Sequence, residues 1–181
     1  MPEPEFILLG DAIWLDFVNT ARGRGAAPPD RLPDPAAWDR WVAALRLRPD
    51  ADELGFDDVR RTRDALSVLA EALDAGERPP APAITLLNDL LGRSSGSEQL
   101  TRAGGEWQLR FAPAGPPPAL VAVARSAALT LGDPLLMVRR CAGADCSLLF
   151  TDDSVTQGRR CCSPDPCGRT ARVERRRGLL K

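Results

Sequence analysis

The chain contains no histidine and no tyrosine, and it has only two methionines. Histidine is the side chain that most often donates or accepts a proton near neutral pH, so most general acid–base chemistry is missing. The same absence removes the usual activator of a serine or cysteine nucleophile. We therefore expect that the protein is not an enzyme, and that any metal site without carboxylates is made of sulfur alone.

Long apolar runs are also missing. No stretch approaches the roughly 18 apolar residues of a membrane-spanning helix, and Met-Pro-Glu-Pro-Glu5 does not resemble a signal peptide. The expected location is the cytoplasm, with no membrane partner.

Lysine is nearly absent, because 23 of the 24 basic residues are arginine. Residues 1–137 carry 14 arginines against 20 acidic residues, a charge of −6, whereas residues 138–181 carry 10 basic against 5 acidic residues, a charge of +5. A basic module attached to an acidic body predicts a polyanionic partner, and the alternative is a solvated C-terminal tail.

All five cysteines lie in the last quarter of the sequence. Cys141-x4-Cys146 and Cys162-x4-Cys167 form two pairs with turn-forming residues inside each pair. Two turns that each present two thiolates can surround one tetrahedral Zn²⁺ ion. A disulfide with a spare thiol is the alternative, which an expected reducing compartment disfavours.

Apolar periodicity predicts helices in the first 132 residues. A short buried helix is expected around residues 12–20, and longer ones follow from Asp34-Pro35, from about residue 57 to 74, from Ile84 to Leu91 and from Pro118 to Leu131. Alternation around Ala103-Gly-Gly105 predicts one β-hairpin at about 98–111, with Trp107, Leu109 and Phe111 on one face.

Two short strands, 135–138 and 147–150, are expected to flank the first cysteine pair. The predicted fold class is therefore a mainly α (α+β) N-terminal domain with one β-hairpin. A small four-cysteine zinc-finger module that ends in a basic helix is expected to follow it.

Two polar residues interrupt the first apolar segment. If Asp16 and Asn19 are buried, each must find hydrogen-bond partners. We expect them to anchor nearby backbone, and the alternative is a site for a small-molecule or protein effector.

Two stretches resemble a bacterial family. Leu15-Asp-Phe-Val-Asn-Thr20 fits the LDFVNT signature of ABATE-type domains, and the cysteine segment is similar to the CGNR zinc finger that follows them. The matching finger positions are Cys141-x4-Cys146, Leu149-Phe150-x-Asp152, Ser154, Arg159-Arg160 and Cys162-Ser163 through Cys167-Gly168. The resemblance implies an ABATE-like domain over 1–132, a CGNR-type finger over 135–181, and a stress-responsive transcription regulator.

The sequence departs from this family at two places. The family's Cys-Gly-Asn-Arg is Cys167-Gly-Arg-Thr170 here, which retains the cysteine and replaces the asparagine. Cys161 stands where the family has tryptophan and is a rival ligand. We prefer Cys162, because its spacing to Cys167 mirrors that of the first pair and because the family's cysteine falls there.

The predicted function is that of a zinc-dependent DNA-binding transcription regulator, with zinc ordering a segment too small to fold alone. The predicted nucleic-acid contacts are all arginines of the basic end: Arg159, Arg160, Arg169, Arg172, Arg175, Arg176 and Arg177. A single half-site contact of this size would be weak, which makes a homodimer a further expectation. The alternative is a zinc- and thiol-based protein-interaction or redox-sensing module without DNA binding.

Overall fold

The structure, a computed structural model, describes residues 4–50 and 54–168. Within these ranges the chain forms five α-helices and two antiparallel strand pairs. In chain order the elements are α1 (Ile13–Val18), α2 (Pro35–Ala44), α3 (Phe56–Asp74), α4 (Ala81–Leu91), β1 (Gly96–Ala103), β2 (Glu106–Pro113), α5 (Ala119–Gly132), β3 (Met137–Arg140) and β4 (Leu149–Asp152). The mainly α body with a hairpin is confirmed, whereas the basic C-terminal helix falls outside the described residues.

The short helix α1 is the centre of the main core. Trp14, Phe17 and the other apolar side chains of its inner turns are fully buried. α1 packs against α3, α5 and β4, and the ring of Phe17 meets Trp38 edge-on with 5.5 Å between ring centroids. Burial of large aromatic side chains gives a small core most of its hydrophobic stabilisation.

Helix boundaries follow local chemistry. The carboxylate of Asp34 accepts a hydrogen bond from the Ala37 amide at 2.8 Å, and Pro35 occupies the first helical position of α2. Gly76, with a φ of 71°, follows the end of α3, where a residue with a side chain would be strained.

The two predicted strands around the first cysteine pair exist, but each begins two residues later than expected. β3 and β4 pair antiparallel, with Val138 opposite Thr151 and Arg140 opposite Leu149. The cause is local: Leu135 lies in a turn that the Asp133 carboxylate holds by accepting a hydrogen bond from the Leu135 amide.

The cysteine segment packs directly on the N-terminal part of the chain. Val138 and Leu149 belong to the main core, while Ile7 joins a second cluster formed by Leu148, Phe150 and buried cysteines. The Thr151 amide also donates to the Gly10 carbonyl at 3.0 Å. The boundary predicted between residues 132 and 135 stays a prediction, but residues on both sides of it share buried contacts.

None of the helices within residues 4–50 and 54–168 has both the length and the apolar character needed to cross a membrane.

Candidate metal centre

The four cysteines of the predicted ligand set converge on one point. Cys141 follows β3, Cys146 precedes β4, and Cys162 and Cys167 come from the turn region after β4. Their Sγ atoms all lie within 4.8 Å of one another. All four thiols are free, so the disulfide alternative has no counterpart in the structure.

The sulfur separations fit a tetrahedral metal ion. Cys162 Sγ lies 3.9 Å from Cys146 Sγ and 3.9 Å from Cys167 Sγ. Zinc–sulfur bonds of about 2.3 Å place tetrahedral ligands about 3.8 Å apart, and zinc favours sets of four thiolates. The donor set is closed, because four sulfur atoms already supply the coordination that structural zinc requires.

Contacts among the clustered thiols shift their pKa values away from the ordinary value of cysteine. Hydrogen bonds from the Cys146 and Cys162 thiols lower the pKa of Cys141. The hydrogen bond between Cys146 and Cys141 raises the pKa of Cys146 to about 11. The pKa of Cys162 is also raised, first by its hydrogen bond to Cys141. Zinc binds the thiolate form of cysteine, so a Zn²⁺ ion bound here would displace the thiol protons.

Backbone groups also converge on the sulfur atoms. The Cys162 amide lies 3.4 Å from Cys141 Sγ, and the Gly143 amide lies 3.5 Å from the same atom. A Cβ at position 143 would lie 3.3 Å from the Cβ atoms of both Cys146 and Cys167. Glycine therefore allows the first cysteine loop to close tightly over the site.

Arg24 reaches the cluster from the N-terminal part of the chain. The backbone of residues 23–25 pairs with that of residues 145–147, with the Gly25 amide 2.8 Å from the Asp145 carbonyl and the Ser147 amide 2.9 Å from the Gly23 carbonyl. Burial lowers the pKa of Arg24, but a side-chain hydrogen bond to Cys167 and the nearby sulfur charges raise it overall. One Zn²⁺ ion with four thiolates would carry a charge of −2, which this guanidinium would partly offset.

A buried carboxylate supports the loop that leads to the second cysteine pair. Asp152 is fully buried and accepts hydrogen bonds from Ser154 Oγ at 2.6 Å, the Arg159 amide at 3.0 Å and Arg139 Nε at 3.1 Å. Burial raises its pKa, but the donors from Ser154 and Arg159 more than offset that effect and lower it. Asp152 therefore stays charged and fixes residues 154–159 beside β4.

Arg159, predicted as a nucleic-acid contact, is engaged within the protein. Its Nε donates to the Cys161 carbonyl at 3.0 Å, and one terminal nitrogen donates to the Cys162 carbonyl at 2.5 Å. The other terminal nitrogen pairs with the Asp11 carboxylate, and the guanidinium lies 4.5 Å above the Phe150 ring. Through these contacts, Arg159 is a structural support for the cysteine segment.

The remaining predicted contacts divide into two groups. Arg160 is exposed, and its side chain has no hydrogen-bond or ion-pair partner within the described ranges. Five further predicted contacts lie outside the described residues: Arg169, Arg172, Arg175, Arg176 and Arg177.

The two polar residues of the first helix region contact backbone. The Gly10 amide donates to Asp16 Oδ1 at 2.8 Å, and burial raises the pKa of Asp16 from its ordinary value of 3.8 to about 6. The Asn19 carboxamide exchanges two hydrogen bonds with the backbone of Leu149. These hydrogen bonds to backbone are the ones expected if Asp16 and Asn19 anchor nearby backbone. An effector for this region stays a prediction.

Sequence reasoning missed Arg24, and also the buried guanidinium of Arg63. Arg63 donates to both carboxylate oxygens of Asp30, at 2.6 and 2.8 Å, and to Thr20 Oγ1 at 3.1 Å. Arg63 lies between Thr62 and Leu66 on the apolar face of α3, and this position is a signal that could have predicted its burial. No pattern in the sequence distinguishes Arg24 from Arg22 in a loop rich in glycine, alanine and proline.

Comparisons with known proteins agree with this architecture. The ABATE family model, described as "Putative stress-induced transcription regulator", matches residues 11–134. The CGNR zinc finger model matches residues 137–178. No match was found among the curated proteins compared with the chain. Two family models thus cover most of the sequence, and the chain belongs to the ABATE family with a CGNR zinc finger on its C-terminal side.

Proposed function

We propose that this protein is a zinc-dependent DNA-binding transcription regulator and has no catalytic role of its own. The observation that carries the proposal is the cluster of four cysteine sulfurs at tetrahedral spacing, directly before a segment rich in arginine. Zinc is the proposed metal, and Cys141, Cys146, Cys162 and Cys167 are its proposed ligands. A closed sulfur set suits a structural ion, because catalytic zinc keeps a position open for water or substrate.

The proposed task of the zinc ion is mechanical. Cys167 stands two residues before Arg169, so fixing its sulfur also fixes the point from which the arginine-rich segment begins. The packing of β4 on α1 would hold that point relative to the N-terminal domain. Any change in the N-terminal domain could then be passed on as a change in position of the basic segment.

The proposed DNA contacts are Arg160 and the five arginines of residues 169–177. Guanidinium groups suit this role, because they bind phosphate oxygens in a bidentate fashion and pair with the guanine edge. Arg159 is left out, since each of its three guanidinium nitrogens already donates a hydrogen bond inside the protein. A reducing compartment, the proposed cytoplasm, would keep the free thiols available to the metal.

The alternative, a thiol-based sensor, rests on the adjacent pair Cys161 and Cys162. Both carry free thiols, and Cys161 is only partly buried. Burial and the neighbouring Cys141 sulfur raise the pKa of Cys161, which lowers the fraction present as reactive thiolate. A less reactive Cys161 thiol argues against the sensing role.

The test is a salt titration of DNA binding with the zinc-loaded full chain. If four of these six arginines, Arg169, Arg172, Arg175 and Arg176, each neutralise one phosphate, the logarithm of affinity should fall with the logarithm of salt concentration at a slope of about −4. Arg175→Ala should flatten that slope by about one and weaken binding to all sequences alike. Arg169→Ala should instead reduce discrimination among sequences.

The matched control is Arg78→Ala, since Arg78 is an exposed arginine after α3 and far along the chain from the finger. It should leave both affinity and slope unchanged. Zinc-loaded protein that does not bind DNA at low salt, or whose affinity is independent of salt, would contradict the proposal and favour a protein partner.

A further inference from the structure

The hairpin β1–β2 turns its apolar face toward solvent. Side chains alternate along a strand, so Glu98, Leu100 and Arg102 share one face with their cross-strand partners Phe111, Leu109 and Trp107. All six are exposed; Leu100, Leu109 and Trp107 keep 63 to 65% of their surface accessible. The partly buried side chains lie on the opposite face: Thr101, Ala103, Gln108 and Ala112.

This arrangement is unfavourable for an isolated chain. A two-stranded hairpin gains stability from packing a face against another element, and the hairpin here leaves its more apolar face exposed. Within the described residues no third strand pairs with β1 or β2. An exposed apolar patch that is rimmed by charges marks an interaction surface.

The six residues form three rows across the hairpin. Glu98 lies opposite Phe111, Leu100 lies opposite Leu109, and Arg102 lies opposite Trp107. The guanidinium of Arg102 is held over the Trp107 ring, 6.0 Å from its centroid, and its Nε donates to the Gly105 carbonyl. Glu98 has no ion-pair partner within residues 4–50 and 54–168. One end of the face is therefore acidic and the other end is basic.

We propose that this face is a homodimer interface in which two hairpins stack face to face about a two-fold axis through the Leu100–Leu109 row. A two-fold axis perpendicular to the strands reverses the order of the rows. Each Glu98 then faces the partner's Arg102, each Phe111 faces the partner's Trp107, and the leucines of the middle row face their own copies. The partner is a second copy of this chain, because the charge pattern is complementary to itself.

The expected contacts are those of a small sheet-on-sheet packing. Stacked sheets lie about 10 Å apart, so side chains from both faces interdigitate. The four aromatic rings of the two copies each bring a large apolar area, and aromatic pairs add to area burial. Two charge pairs at the ends fix the relative orientation of the hairpins. The dimer does not depend on the proposed DNA binding.

The experiment is sedimentation equilibrium of the zinc-loaded full chain. Glu98→Arg places arginine against arginine at both ends of the interface, and Arg102→Glu places glutamate against glutamate. Each single variant should raise the dimer dissociation constant about tenfold or more. The double variant Glu98→Arg with Arg102→Glu restores opposite charges in exchanged positions, so its dissociation constant should return toward that of the wild type.

Glu106→Arg is the matched control, because it makes the same chemical change on the opposite face of the same hairpin. It should leave the dissociation constant unchanged, and circular dichroism should show that every variant is folded. A wild-type chain that is monomeric at all concentrations would assign the face to another partner and overturn the proposal. A dimer that is unaffected by the single reversals, or not recovered in the double variant, would also overturn it.

Discussion

The side chain of Asn19 and the backbone of Leu149 are joined by two hydrogen bonds. Asn19 Nδ2 donates to the Leu149 carbonyl at 2.8 Å, and the Leu149 amide donates to Asn19 Oδ1 at 2.9 Å. Leu149 opens β4, three residues after Cys146. The carboxamide thus takes the place of a strand neighbour and links the first helix region to the candidate metal centre.

Replacement of Asn19 by alanine should destabilise the fold. It leaves a buried amide and a buried carbonyl of Leu149 without partners, which costs about 2–4 kcal/mol in the free energy of unfolding. Denaturant unfolding of zinc-loaded protein measures this difference. Asn88 is the control, because it is the other asparagine of the chain and is exposed on α4. Similar losses for Asn19→Ala and Asn88→Ala would show that the two bonds are unimportant.

Replacement of Arg24 by glutamine should weaken zinc binding. Glutamine has a shorter side chain that still donates a hydrogen bond, but it lacks the positive charge that arginine places beside Cys167. Loss of a group that supports metal ligands lowers metal affinity about 10- to 100-fold. Competition with a chromophoric chelator measures the affinity. Arg24→Lys should retain part of it, whereas Arg78→Gln should have no effect; equal affinity of Arg24→Gln and wild type would contradict the role of charge.

The adjacent cysteines should respond differently to substitution by serine. Cys162 belongs to the set whose sulfur atoms lie within 4.8 Å of one another, and Cys161 does not. Cys162→Ser should therefore lose stoichiometric zinc, whereas Cys161→Ser should retain one ion per chain. Elemental analysis of freshly purified, reduced protein measures the metal content. The opposite pattern would reassign the fourth ligand to Cys161.

Removal of zinc should affect the N-terminal core as well as the finger. Structural zinc contributes folding free energy, about 10–16 kcal/mol in zinc-finger peptides, and β4 packs on α1. Hydrogen exchange should show faster exchange of the Gly23 and Gly25 amides after chelation, because both belong to the N-terminal part and donate to Ser147 Oγ and to the Asp145 carbonyl of the cysteine segment. Changes confined to residues after Gly132 would show that the two parts are independent.

Asp16 should make stability depend on pH between about pH 4 and pH 6. Its pKa in the folded protein is raised to about 6, so the folded state binds this proton more tightly than the unfolded state does. The resulting stabilisation is complete below the ordinary value of 3.8 and is lost as the pH rises through about 6. Relative to Asp16→Asn, the wild type should gain about 1 kcal/mol in unfolding free energy when the pH falls from about 7 to about 5. A pH-independent difference between the two proteins would contradict the raised pKa.

Much of the local structure follows from the sequence. The Asp34-Pro35 dipeptide marks the start of α2, because its side chain and fixed φ suit a helix N-terminus. Ala103-Gly104-Gly105 marks the hairpin, because the positive φ angles of its glycines are available to few other residues. These signals are local, and they could be read without knowledge of the surrounding chain.

The sequence also determined which cysteines converge. Two pairs with equal spacing, in a chain without histidine, leave few ways to build a metal site, and the four sulfur atoms indeed come together. The same spacing could not show that Arg24, more than 100 residues earlier, lies beside them, since that proximity depends on pairing between residues 23–25 and 145–147.

Tertiary structure alone decided how several polar and apolar side chains are used. The sequence predicts Arg159 as a DNA contact, and only the tertiary structure shows that its guanidinium donates to the Asp11 carboxylate and to the Cys161 and Cys162 carbonyls. Alternation predicted that Trp107, Leu109 and Phe111 share a face, yet it could not show that this face is exposed. The physical reason is common to both cases: local patterns fix which groups lie together along an element, whereas burial and pairing depend on distant segments that pack against it.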